Sequence, residues 1–225
     1  HDALPISVQA LSTDQLSALT SDQVQALSTG QVQALGTTQI RDVTSTQLQS
    51  LNSTQVKALT SSQLNILTID SLQAIETADL KEMTTAQINS LEAVQLRALD
   101  DSDIAALSIN TLKLLNTNKI DDLSASQLGR LSALQLKSLS TSQLNSLTSS
   151  QVQNLSAKNL AALSSSQVRA LTSAALSGLT ATQVKDLSVS TLATLSTQQL
   201  SGLTSTQMQA LTALQVKALT TDQLN

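Results

Sequence analysis

The sequence has no cysteine, tryptophan, tyrosine or phenylalanine, a single proline and a single histidine. Without cysteine there can be no disulfide and no thiolate zinc site. Without aromatic side chains, which usually supply much of a core's buried area, the interior must be built from aliphatic residues. No apolar run approaches the roughly 20 residues of a transmembrane helix. The chain is therefore expected to have a slim aliphatic core.

Charged residues make up only 12% of the chain, and its net charge is -4. Nucleic acids and anionic membranes both attract proteins through clusters of Lys and Arg, and this sequence has none. We therefore expect neither as a partner.

Groups that could support catalysis are scarce. A serine nucleophile needs a neighbouring base, and the sole histidine is His1. There is no glycine-rich phosphate-binding motif, and no paired carboxylates lie in a recognisable setting. We predict that the chain is not an enzyme and binds no cofactor or metal.

A repeat of eight residues fills the chain. From Leu11 to Leu219, every eighth residue is aliphatic or Met, at 27 sites, and the residue five places later is also apolar each time. We number the positions of this octad from that Leu, so that the consensus is Leu-(Ser/Thr)-x-x-Gln-(Val/Leu/Ile)-x-small. Arrays of short repeats commonly fold as solenoids, because each unit needs its neighbours to bury its apolar residues.

Neither a continuous helix nor a continuous strand fits this period. Eight residues of α-helix rotate by about 800°, so the Leu positions would wind around the helix instead of forming one stripe. In a strand, the two apolar positions would point to opposite faces, because their separations of five and three are odd. The chain must therefore bend within each octad.

Positions 2 and 5 indicate where the bend lies. Position 2 is Ser, Thr, Asn, Asp or Gly in all but two octads, and position 5 is Gln in 19 of 27. Ser/Thr-x-x-Gln is a capping box, in which the two side chains satisfy free N–H groups at a helix start. Each octad is thus predicted to begin a new helix. The capping residues that we assign in three such octads are Thr20, Gln23, Ser28, Gln31, Thr148 and Gln151.

The predicted fold is an all-α solenoid, with one very short capped helix per octad. Helices of this length are unstable alone, so their stability must come from stacking. The small residue at position 8 is expected to allow close approach. The alternative is a β-solenoid, although Leu, Ala and Gln favour helix and glycine is rare. The predicted core includes Leu19, Val24, Leu27, Val32, Leu139, Leu144, Leu147 and Val152.

Departures from the consensus cluster in residues 66–122, where several octads lack Gln. Because those octads lose the bond back to the cap, we predict that they are the weaker ones. Asp100, Asp101 and Asp103 could form a cation site. Acidic residues in a first helical turn also complement the helix dipole, with Asp100 as the N-cap, and that interpretation is favoured.

The first seven residues do not fit the repeat. Residues 1–7 resemble the translation of a sequencing adapter, which suggests an environmental sequence, and such segments are left out of fold reasoning. Residues 8–225 form the repeat, which stops inside an octad. We expect the chain to be a fragment of a longer array.

Tracts such as Leu203-Thr-Ser-Thr-Gln-Met-Gln-Ala-Leu-Thr-Ala-Leu-Gln-Val-Lys-Ala218 resemble the octapeptide arrays of large repetitive bacterial exoproteins, often labelled haem utilisation or adhesion proteins. The resemblance runs from Val8 to the end and implies a secreted or surface-attached protein. The haem part of the label finds no support, because the repeat contains no His, Cys or Tyr. We expect a structural spacer or stalk segment.

Two other functions are open. Solenoids offer faces that bind peptides or glycans, and regular Ser/Thr arrays can bind ice. The neighbouring octads are the expected partners of each octad, and exposed aliphatic edges are expected to favour end-to-end self-association.

Overall fold

A computed structural model describes residues 8–224 of the chain; the side chain of Leu224 is not described. Within this range there are one 3₁₀ turn, 27 α-helices and no strand. The all-α prediction is confirmed, with one helix to each octad, and the β-solenoid alternative is wrong. The predicted adapter-like segment and the sole histidine lie outside the described residues.

By its internal contacts the chain divides into two compact units, His1–Leu107 and Ser108–Asn225. The helices are four to six residues long. In the first unit, a 3₁₀ turn at Val8–Ala10 precedes α1 Thr13–Ser17, α2 Ser21–Gln25, α3 Thr29–Ala34, α4 Thr37–Asp42, α5 Ser45–Gln49, α6 Ser53–Ala58, α7 Ser61–Ile66, α8 Ile69–Gln73, α9 Thr77–Leu80, α10 Thr85–Ser90, α11 Ala93–Ala98 and α12 Asp101–Ala106. The second unit contains α13 Ile109–Leu114, α14 Thr117–Asp122, α15 Ala125–Gly129, α16 Ala133–Ser138, α17 Thr141–Asn145, α18 Ser149–Gln153, α19 Ala157–Ala162, α20 Ser165–Ala170, α21 Ser173–Leu176, α22 Ala181–Asp186, α23 Val189–Ala193, α24 Thr197–Ser201, α25 Ser205–Gln209, α26 Ala213–Lys217 and α27 Thr221–Leu224.

Two to four residues separate consecutive helices, and where a helix is six residues long the two residues that follow it are extended. Between α16 and α17, for example, Leu139 has φ -65° and ψ 140°, and Ser140 has φ -69° and ψ 161°. These are the residues of positions 1 and 2, and the hydroxyl of position 2 then caps the next helix. No described residue has a positive φ. The chain therefore changes direction without the left-handed glycine that commonly ends a helix.

Within each unit, every helix packs against the helix three further along the chain. The pairs run from α1 with α4 to α9 with α12 in the first unit, and from α13 with α16 to α24 with α27 in the second. Three octads therefore make one turn of a solenoid, and each turn stacks on the previous one.

The core is a column of side chains from positions 1 and 6 of the octad. From Leu16 to Leu200, every side chain at position 6 is at most 5% exposed. Of the predicted core, Val24, Val32, Leu139, Leu144, Leu147 and Val152 are buried. Leu19 and Leu27 are only half-buried, because they belong to the first turn within residues 8–224 and no earlier turn of that range packs on them.

Close packing between turns explains the small residues at position 8. A Cβ added to Gly178 would lie 2.3 Å from the carbonyl oxygen of Ser149, and one added to Gly202 would lie 2.6 Å from the Cβ of Ser173. In both cases the neighbour belongs to the preceding turn. A larger side chain at either glycine would push two turns apart.

In the part of the chain that the structure describes, no helix is long and apolar enough to cross a bilayer.

Candidate functional site

The three octads chosen as capping examples each form a complete capping box. The hydroxyl of Thr20 accepts a hydrogen bond from the backbone N–H of Gln23 at 3.3 Å, and Gln23 Oε1 accepts one from the N–H of Thr20 at 2.9 Å. The same pair of bonds measures 3.2 and 2.8 Å between Ser28 and Gln31. Between Thr148 and Gln151 it measures 3.3 and 2.8 Å. The hydroxyl of position 2 is therefore used inside the fold, which leaves positions 3, 4 and 7 to form the outer surface.

The amide nitrogen of the same glutamine makes a second set of bonds. Gln143 Nε2 donates to the carbonyl oxygens of Leu112 at 2.9 Å and Leu115 at 2.8 Å. These carbonyls lie at the end of α13, on the preceding turn, where a helix runs out of its regular backbone hydrogen bonds. The Leu112 carbonyl also accepts a bond from the N–H of Leu115, at 3.3 Å. One side chain thus caps the start of its own helix and the end of another.

This arrangement, which we call the glutamine ladder, recurs along both units. Within each unit, the Nε2 atom of each such glutamine donates a hydrogen bond to the backbone carbonyl 28 residues earlier, at 2.6 to 3.0 Å. Most members also donate to the carbonyl 31 residues earlier. The members described within the units are Gln39, Gln47, Gln55, Gln63, Gln87, Gln95, Gln143, Gln151, Gln167, Gln183, Gln199, Gln207, Gln215 and Gln223.

The ladder lies in a buried setting. From Gln39 to Gln215 its glutamines are 1–7% exposed, and no buried side-chain nitrogen or oxygen of the described residues lacks a hydrogen-bond partner. Hydrogen bonds are stronger in such an environment, and an unpaired polar group there is expensive. The ladder therefore fixes the register of one turn on the next.

Octads without Gln keep only part of this function. Asn159 has a shorter amide, which still reaches the carbonyl of Leu131 at 2.7 Å but makes no return bond to its cap. Ser71 and Thr191 bond to the hydroxyl of their own cap residue, at 2.9 and 2.8 Å. The capping bond and the bond between turns are therefore separable.

The acidic cluster is also used within the fold. Asp103 Oδ2 accepts from the backbone N–H of Asp100 at 3.0 Å, and Oδ1 accepts from the hydroxyl of Thr77 at 2.5 Å. Asp100 is the N-cap residue of α12, and Asp101 and Asp103 lie in its first turn, in agreement with the favoured interpretation. Asp101 is half-buried in the first turn of α12. Among the described residues, no group of three or more His, Cys, Asp or Glu side chains is placed to hold a metal ion.

Outward aliphatic residues occur in pairs. Ile69, Ile109 and Val189 are exposed at position 3 of octads that carry Ser or Thr at position 5. Three octads later, position 4 is again an exposed aliphatic residue. Hydrogen bonds from Ser173 Oγ to Gln198 O and from Thr197 Oγ1 to Asp222 O show that these two positions, 25 residues apart, are neighbours on adjacent turns. The resulting pairs are Ile69 with Val94, Ile109 with Leu134, and Val189 with Leu214.

An open polar groove lies on the second unit. It has a volume of about 540 Å³ and is lined mostly by hydroxyl and amide side chains. A neighbouring depression of about 260 Å³ shares Asn145 and Ala170 with it and adds Arg169 and Gln198. The residues of the larger groove are Thr117, Thr141, Ser142, Asn145, Ser146 and Ala170.

These features define the protein class as an all-α solenoid of short capped helices. In sequence, a family model for the ALTTAQ repeat matches residues 7–29 and 72–109. The six letters of ALTTAQ, read as residues, align with positions 8, 1, 2, 3, 4 and 5 of the octad. Ala18-Leu-Thr-Ser-Asp-Gln23 is one example in this chain. A search of curated proteins finds no match to the chain.

The capping half of the site was accessible from sequence, whereas the ladder was not foreseen. A capping box involves residues three apart, so a local motif is sufficient to predict it. The bonds between turns depend on the number of octads in a turn, which sequence periodicity did not provide.

Proposed function

We propose that this chain is a structural repeat segment, a spacer or stalk in a secreted or surface-attached bacterial protein, without a catalytic role. The proposal depends above all on one observation: the side chains at the constant positions 1, 2, 5 and 6 form the core, the caps and the ladder. The residues that repeat are therefore those that build the array. Secretion and surface attachment are supported only by the resemblance to bacterial exoprotein arrays.

The outer positions support the same proposal. Positions 3, 4 and 7 vary among small, polar, acidic, basic and aliphatic residues from octad to octad. A binding face needs a fixed constellation of side chains, whereas a spacer needs only solubility there. Stability that is the sum of unit and nearest-neighbour terms also lets such an array gain or lose octads without losing its fold.

A display experiment tests the spacer function. The chain is placed between a bacterial surface anchor and a reporter domain, and the height of the reporter is measured for arrays of 12, 18 and 27 octads. We expect the height to rise in proportion to octad number. It should stay unchanged in a control array of 27 octads whose residues at positions 3, 4 and 7 are shuffled among octads. A height independent of octad number would contradict the proposal.

A binding module is the second candidate, favoured by the polar groove on the second unit. Its Asn, Ser and Thr side chains, with Arg169 beside it, suit the hydroxyl and amide groups of a glycan or an extended peptide. Screening the chain against glycan and peptide arrays tests this function. Binding that Ser142→Ala and Arg169→Ala abolish, and that Gln25→Ala on the first unit does not, would replace the spacer proposal.

A further inference from the structure

The charges of the chain are divided unevenly between its two units. Residues 1–107 carry twelve acidic and four basic side chains, whereas residues 108–225 carry four acidic and eight basic ones. The net charge of -4 therefore combines an acidic first unit with a basic second unit. A basic unit can attract anionic partners that the charge of the whole chain would repel.

Half of the basic residues of the second unit lie in one column. Lys113 lies in α13, Lys137 in α16, Lys158 in α19 and Lys185 in α22, and each of these helices packs on the next. All four side chains are exposed. Three occupy position 7 of their octads, and Lys158 occupies position 4, which lies one helical turn from position 7 on the same face. We call these four residues the lysine column.

Folding brings the four ammonium groups together. The lysines are 21 to 27 residues apart in the chain, so the sequence itself shows no basic cluster. Because packed helices have axes about 8–10 Å apart, the column presents one lysine per turn over roughly 24–30 Å. A side chain at position 7 also borders the next turn, since Asn145 Nδ2 donates to the carbonyl of Ala170 at 2.9 Å. Charges are screened over about 10 Å at about 0.1 M salt, so neighbouring lysines reinforce one another's potential.

Few carboxylates compensate the column. Asp186 is the sole acidic residue in the four helices. Among the described residues, no carboxylate forms an ion pair with any of the four lysines. The column is therefore open to an external anion along its whole length.

We propose that the lysine column binds an acidic polysaccharide, a linear chain of sugars with carboxylates at regular intervals, which lies along the stack of turns. Each turn supplies one ammonium group to a carboxylate. Asn110 and Thr182, exposed on α13 and α22, offer hydrogen bonds to sugar hydroxyls. This binding goes beyond the spacer function and does not depend on it.

Other anionic partners fit the column less well. Single-stranded nucleic acids are bound by stacking their bases on aromatic side chains, and the chain has none. Extended peptides commonly add a strand to a sheet edge, and residues 8–224 contain no strand. Anionic membranes are bound most firmly where apolar side chains insert beside basic ones. Exposed large aliphatic residues accompany only the first two lysines of the column, as Ile109, Leu114 and Leu134.

Titration with polygalacturonate, with neutral dextran as the control polymer, tests the proposal. Isothermal titration calorimetry should show that the parent chain binds polygalacturonate, more weakly as the salt concentration rises, and does not bind dextran. Lys113→Gln/Lys137→Gln should raise the Kd at least about tenfold, because half of the column is lost. The matched control, Lys57→Gln/Lys81→Gln, removes the same charge from exposed position 7 sites on adjacent turns of the first unit and should bind like the parent.

A charge-conserving variant tests the column itself. Lys113→Gln/Lys137→Gln/Gln153→Lys/Ser177→Lys moves two lysines to exposed position 7 sites outside the column, and it should bind as weakly as Lys113→Gln/Lys137→Gln. Far-UV circular dichroism equal to that of the parent checks the fold of each variant. The proposal would be overturned by a parent chain that does not bind, by parental affinity in either column variant, or by tighter binding to duplex DNA or to phosphatidylglycerol vesicles than to polygalacturonate.

Discussion

Two regions of the chain differ in how often they carry the ladder glutamine. In residues 196–223, all four octads have it, and each glutamine bonds both to its own cap and to a carbonyl 28 residues earlier. In residues 66–122, only Gln87 and Gln95 of seven octads have it. Yet every side chain at position 6 in that second region is fully buried. The aliphatic column therefore forms without the ladder.

The comparison shows that the aliphatic column and the glutamine ladder have different roles. Burying one aliphatic side chain contributes about 1.5–3 kcal/mol, and each octad buries two, whereas a hydrogen bond contributes about 0.5–1.5 kcal/mol net. The column supplies most of the stability, and the ladder specifies how turns align. Inside the array, the two four-residue helices, α9 and α21, have Asp79 and Ala175 in place of the glutamine. That octads without glutamine are weaker remains a prediction.

The largest expected effect comes from the column itself. Leu144→Ala should lower the free energy of unfolding by about 2–5 kcal/mol, because a fully buried side chain is replaced by a cavity. Urea denaturation followed by circular dichroism measures it. The control is Leu134→Ala, whose side chain is 69% exposed and which should change stability by less than about 0.5 kcal/mol. Similar losses for the two variants would mean that the column does not hold the fold.

Removing one ladder glutamine should have a smaller effect. Gln143→Ala loses one capping bond and two bonds to the preceding turn, which predicts a loss of about 2–3 kcal/mol at about 1 kcal/mol per bond. Gln15→Ala, in the first turn within residues 8–224, loses only its capping bond and should cost about 1 kcal/mol. The free energy of unfolding is measured for both variants by urea denaturation. The difference between the two losses gives the contribution of the bonds between turns. If the losses are equal, the ladder adds nothing beyond capping.

Close approach of turns is tested at two glycines. Gly178→Ala should destabilise by about 1–3 kcal/mol, because its Cβ would overlap the backbone of Ser149. Gly30→Ala should stabilise by about 0.5–1 kcal/mol, because Gly30 lies within α3 and the nearest atom to its Cβ is 4.0 Å away. Thermal unfolding of the two variants gives the signs. A stabilising Gly178→Ala would show that the turns are not in close contact there.

The smallest expected effect is a gain. Thr191→Gln restores the consensus and should stabilise by about 0.5–1.5 kcal/mol, since a Gln there can reach the carbonyl of Leu163 on the preceding turn. Ser190→Gln, on the exposed position 4, serves as the control and should be neutral. Hydrogen exchange should also slow at the end of α19 in the first variant alone. If Thr191→Gln does not raise the free energy of unfolding, the irregular octads are packed so that a glutamine at position 5 adds no stabilising bond.

Sequence alone identified the octad, the helix starts and most of the core, because each depends on residues within one octad. Thr148 with Gln151 is a motif of four residues, and the rule that reads it is local. Asp100 follows the same rule: its residue type suits a cap, and it is the N-cap of α12, where Asp103 accepts its backbone N–H. The half-buried state of Leu19 and Leu27 depends on which turns pack on them within residues 8–224, which composition does not show.

What the sequence determined is that the backbone must restart a helix every eight residues, since the capping chemistry and the spacing of apolar residues allow no longer regular element. What only the tertiary structure decided is that three such helices complete a turn, and hence that a glutamine amide meets the carbonyls 28 and 31 residues earlier. The angle between successive helices follows from how Leu, Val and small side chains pack together across turns. That packing involves residues from several octads at once, so no single octad encodes it.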